Sequence, residues 1–148
     1  MSHKSVGSPY TRTFASLCPS QLIRLIALGA TLWLLAALLL RFLAPMGVYD
    51  GMGRYALYLL IIPGTFPFVL LVRYFARLAP DQTGMGVAVV TAAAILLDGI
   101  SLGWFPQLYG EGVENAANAG AAILWGGGVA ITLGVLMNRD RPPQPTRS

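Results

Sequence analysis

Four apolar runs, Leu22–Leu43, Tyr55–Tyr74, Gly86–Phe105 and Ala117–Met137, take up most of this 148-residue chain. Each is close to the ~20 residues a helix needs to cross a ~30 Å hydrocarbon core. They are too long for a soluble core, and too little chain lies between them for a separate soluble domain. The expected fold is all-α, a polytopic four-transmembrane-helix bundle over residues 22–137. Composition agrees: 55% of residues are hydrophobic and 11% charged, against about 25% charged in an ordinary soluble domain.

A net charge of +4 and a pI near 9.6 could point to nucleic acid, but the placement of the charges points to a membrane instead. Lys4, Arg12 and Arg24 precede or open the first run, Arg73 and Arg77 close the second, and Arg139, Arg141 and Arg147 follow the fourth. Eight of the ten basic residues thus fall on one side, and only Arg41 and Arg54 on the other, beside Asp50, Glu111 and Glu114. The positive-inside rule puts the charged side, with both termini, in the cytoplasm. The expected home is a cell membrane, the inner membrane of a bacterium. Residues 1–21 and 138–148 read as disordered cytoplasmic tails, polar and basic at the first end and proline-rich at the second.

The first run is too long for the core of a signal peptide. Cys18 is the only cysteine and His3 the only histidine. There is therefore no intrachain disulfide, no CxxC pair and no zinc-type ligand set. No cofactor and no metal are expected, and the residues do not suggest an enzyme.

Asp98 is the only formal charge far from a run's end. At 100° per residue it shares a helix face with Thr91, Ala94 and Ser101. A carboxyl at that depth costs roughly 2.5–3.5 kcal/mol on insertion scales, so it should face the bundle interior and have a partner. Arg41, a turn before the first run ends, is the favoured partner, because each charge would cost more alone in lipid than the two together. The alternative is a protonated Asp98 donating to a carbonyl freed in the second run. Pro63 and Pro67 there have no N–H, which deprives Leu59 and Pro63 of their i−4 donors and marks a helix break or kink. Tyr49, Tyr55 and the segment Trp104–Tyr109 suit the aromatic belt. In the fourth run, Ala122, Gly126, Ala130 and Gly134 recur every four residues as a ridge for close helix contact. That contact is expected within the bundle or with a second copy of the chain.

The segments Trp33–Arg41, Leu97-Asp98 with Phe105-Pro106, and Ala122–Gly126 resemble a family of small, four-span bacterial membrane proteins catalogued as a domain of unknown function. The resemblance implies a four-helix integral membrane protein with the arginine and the aspartate as family features, and it implies no activity. The favoured function is a structural or accessory membrane component whose partners are the bilayer and itself or another membrane protein, not nucleic acid. The alternative is a small-solute or proton-coupled transporter using Asp98.

Overall fold

The structure, a computed structural model, describes residues 17–138. Four helices account for most of them: α1 (Pro19–Leu43), α2 (Gly51–Phe75), α3 (Thr83–Trp104) and α4 (Val113–Leu136). Each is long and apolar enough to cross a membrane. Among the described residues there is no strand.

The helix starts follow from local chemistry. α1 begins at Pro19, the position where a missing N–H costs nothing. Gln21 Oε1 accepts from the Cys18 N–H at 3.0 Å, which satisfies a donor that would otherwise be orphaned. Residues 19–21 are therefore helical, a correction to the tail expected at 1–21. The same Gln21 donates through Nε2 to the Arg77 carbonyl and to Gln82 Oε1, both at 3.3 Å, tying three segments together at one end of the bundle. α2 stops in a left-handed turn: Arg77 has φ 51°, and Leu78 N–H reaches back to the Arg73 carbonyl at 3.0 Å while Arg77 N–H reaches Tyr74 at 3.2 Å. This is the Schellman pattern, with arginine where glycine is usual.

α1 packs on α3, α3 on α4, and α4 on α2, while α1 and α2 scarcely touch. The ring is thus open along one side. α1 and α3 meet closely at Gly29, where a Cβ would stand 2.8 Å from the Val90 carbonyl oxygen. The core falls into two pieces. One, at the end bearing Gln21, gathers Leu25, Val69, Val72, Val87 and Val90, and the other gathers Ala37, Leu40, Tyr49, Tyr109 and Ala119 at the opposite end.

Two expectations are corrected at this level. Helix α2 runs unbroken through Pro63 and Pro67, so they do not form a break. Thr65 Oγ1 donates to Ile61 O at 2.5 Å, not to the carbonyl of Leu59 or of Pro63. Tyr55 is exposed as a belt residue should be, but Tyr49 and Tyr109 are buried. The ridge on α4 makes the contact expected within the bundle: Ala122, Ala130 and Gly134 are buried, and a Cβ at Gly134 would stand 2.9 Å from Val87 Cβ on α3. Its partners are α3 and α2 of the same bundle. Lys4, Arg12, Arg139, Arg141, Arg147 and His3, and the tails expected around them, lie outside the described residues.

Candidate functional site

The helical period carries Thr91, Asp98 and Ser101 onto the inward face of α3, with 5%, 6% and 7% of their surface exposed. The expected polar face is therefore buried. Its partner is neither Arg41 nor a carbonyl of α2. Tyr109 O–H donates to Asp98 Oδ1 at 2.5 Å, and Trp33 Nε1 on α1 donates to the Tyr109 hydroxyl oxygen at 3.3 Å. The relay runs indole to phenol to carboxyl, each group using the donor it has.

Local sequence explains how Tyr109 gets there. Pro106 ends α3 and opens a short 3-10 turn, Pro106–Tyr109, and the chain then leaves through Gly110 at φ 131°, a conformation open to glycine. The turn folds the tyrosine back against the bundle instead of outward to the interface. Burial, and next the adjoining Asp98, push the Tyr109 phenol up to about 12, so it keeps its proton and stays a donor at neutral pH.

Arg41 is exposed, and its Nη1 donates to the Gln107 carbonyl at 2.7 Å. The same 3-10 turn that carries Tyr109 inward presents this carbonyl outward. The expected Arg41–Asp98 ion pair is thus corrected: the arginine braces the turn from outside while the tyrosine occupies the aspartate within. Tyr109 and Trp33 are the site residues that sequence reasoning missed. The available signal was a tyrosine three residues after a proline in a loop, but hydropathy alone assigns it to the interface.

Between the two core pieces lies a cavity of about 290 Å³, walled by all four helices. Leu32, Trp33 and Leu40 line it from α1, Ile61, Thr65 and Phe68 from α2, Thr91, Ala94 and Asp98 from α3, and Ala122, Gly126 and Ala130 from α4. Its lining is mostly apolar with a few polar groups, the usual make-up of a small-molecule site, and its volume is near the lower end of that class. Thr65 is satisfied by Ile61. The buried hydroxyl of Thr91 has no hydrogen-bond partner. Among the described residues no group of three or more His, Cys, Asp or Glu side chains could hold a metal ion.

Comparison with protein-family models, curated proteins and solved structures returns no match. What defines the chain is therefore its own architecture: a four-helix bundle of membrane-spanning length around a carboxyl-bearing cavity.

Proposed function

We propose that this protein is a small-solute binding and transport unit of the bacterial inner membrane, with both termini cytoplasmic, and that Asp98 is the polar anchor of its site. The observation that carries the reading is the cavity with Asp98 in its wall. A carboxyl inside a membrane bundle is costly and tends to mark a ligand or ion pathway. The orientation is supported by the distribution of arginines: Arg24, Arg73 and Arg77 belong to one end of the bundle, Arg41 and Arg54 to the other. Membership of the small four-span family that the sequence resembles is part of the same proposal, supported by the four-helix architecture.

The binding and transport reading is preferred to a structural or accessory role for a specific reason. Self-association was one of the two contacts open to the α4 ridge, and that ridge packs inside the bundle, so the feature that could have supported it is already used. The test is flux in proteoliposomes against a panel of small amines, alcohols and carboxylates, wild type beside Asp98→Asn. Movement of at least one solute that depends on Asp98 supports the reading. Equal movement by the two folded proteins across the whole panel, or none by either, overturns it.

A further inference from the structure

The cavity is open at the side. The core pieces around Leu25 and around Tyr109 lie toward its two ends, and each lends a residue to its lining, Ala130 from the first and Leu40 from the second. Three lining residues, Ala36 and Leu39 on α1 and Gly64 on α2, are also exposed on the outside of the bundle. They belong to the two helices that scarcely touch. A Cβ added at Gly64 would meet nothing within 4 Å, so no side chain obstructs that lip. In a bilayer this slit faces hydrocarbon, not water.

Inside, three polar side chains more than nine-tenths buried, Thr65, Thr91 and Asp98, stand in an otherwise apolar wall, and Thr65 is already satisfied by the Ile61 carbonyl. Asp98 is the only ionisable side chain among the lining residues, and Tyr109 supplies a single hydrogen bond to it where a carboxylate can accept about four. Thr91 Oγ1 has no partner at all, although buried polar groups are nearly always paired. Seven residues separate the two along α3, a rise of about 10 Å. A cationic head is the one that can both donate to the open acceptors of Asp98 and compensate its charge once ionised, whereas an anionic head would be repelled by that charge.

We propose that the cavity takes an amphiphilic amine dissolved in the bilayer, which enters sideways between α1 and α2 and sets its ammonium on Asp98. Its apolar middle lies along the wall, and a second hydrogen-bonding group about two helical turns away meets Thr91 Oγ1. This rests on reading the cavity as a binding site, and specifies its ligand class and its route of access.

The protein has three tryptophans, and only Trp33 lines the cavity. Trp104 and Trp125 are exposed and report bulk partitioning into the lipid. Fluorotryptophan-labelled protein in phosphatidylcholine nanodiscs is titrated with n-octylamine, n-octanol, octanoate and the eight-carbon amino alcohol, and followed by fluorine NMR. The amines should shift the Trp33 resonance saturably while leaving Trp104 and Trp125 on the partitioning trend. Binding of n-octylamine should weaken at least about tenfold in Asp98→Asn. The amino alcohol should bind more tightly than n-octylamine, and Thr91→Val should erase that advantage. Gly64→Phe and, from the facing helix, Ala36→Phe should block the response in protein that melts like wild type. If n-octanol binds as well as n-octylamine and Asp98→Asn changes nothing, the ligand class is wrong but the cavity reading stands. Binding that persists in both folded plug variants overturns the lateral route. A Trp33 signal that saturates with none of the four probes overturns the binding site itself.

Discussion

Removing the hydroxyl of Tyr109 tests what holds Asp98 in place. Tyr109→Phe keeps the ring, which is fully buried, and deletes two contacts: the 2.5 Å bond to Asp98 Oδ1 and the 3.3 Å bond from Trp33 Nε1. Side-chain hydrogen bonds in membrane proteins average about 0.6 kcal/mol in double-mutant cycles and reach about 1.7, whereas bonds to charged groups contribute about 1.5–3 in soluble proteins. The short, buried contact to a carboxyl belongs near the top of the membrane range, and the longer indole contact adds a few tenths. The expected loss is about 1.5–2 kcal/mol in reversible unfolding in detergent. A cycle with Asp98→Ala should give a coupling of about 1 kcal/mol or more. The cycle between Arg41→Ala and Asp98→Ala should stay below the ~0.5 kcal/mol at which independent sites count as additive, because Arg41 spends its guanidinium on the Gln107 carbonyl. The reasoning is refuted if Tyr109→Phe is as stable as wild type, or if the larger coupling belongs to Arg41.

Further outcomes follow from the same geometry. Because the Tyr109 phenol is raised to about 12 from an ordinary value of 10, its contribution should be intact below about pH 10 and fade towards pH 12; pH-dependent unfolding should find this alkaline loss absent in Tyr109→Phe. Thr91→Val replaces an unpartnered buried hydroxyl with a methyl and should stabilise by about 1 kcal/mol, whereas a clear loss in thermal unfolding would mean the hydroxyl has a partner. Gly29→Ala and Gly134→Ala push a Cβ to 2.8 Å from the Val90 carbonyl oxygen and 2.9 Å from Val87 Cβ and should each cost about 1–3 kcal/mol. Gly126→Ala makes an ordinary 3.5 Å contact with Ile61 and should be neutral or stabilising through helix propensity; equal losses at all three positions would contradict this ranking. Arg77→Gly, at φ 51°, should gain about 1 kcal/mol of stability by the same assay.

The helix count could be read from the sequence because only long apolar runs satisfy a hydrocarbon core, whatever they pack against. The helix starts were less legible. α2 begins at Gly51, α3 at Thr83 and α4 at Val113, each three or four residues before its apolar run. Those first turns hold Arg54, Gly84 or Glu114, residues that suit a helix at the interface but add nothing to hydropathy. Burial of Asp98 with Thr91 and Ser101 was legible because it depends on helical period and the cost of a charge in lipid. Its partner was not, because a 3-10 turn and the φ of Gly110 decide which way Tyr109 points, and neither leaves a hydropathy signal. Arg41 has a side chain long enough for either direction, and the carbonyl that holds it exists only once that turn has formed. The cavity had no sequence signature, since it arises where α1 and α2 fail to meet. The small-residue ridge was visible in the sequence, but whether it served this bundle or a second copy depended on where Val87 and Ile61 stood.

The central claim is that four helices cross a bilayer around a cavity reached from its hydrocarbon. Trp33 reports on it directly: it lines the cavity and lies ten residues from the end of α1, about 15 Å along the helix axis and so near mid-bilayer. The decisive measurement is Trp33 fluorescence in a Trp104→Phe, Trp125→Phe background, reconstituted in liposomes of brominated phosphatidylcholine. Lipids brominated in the middle of the acyl chain should quench it more than lipids brominated near the headgroup, and iodide in the water should leave it bright. Quenching by iodide with no response to mid-chain bromine would mean that the cleft opens to water, and would contradict the account.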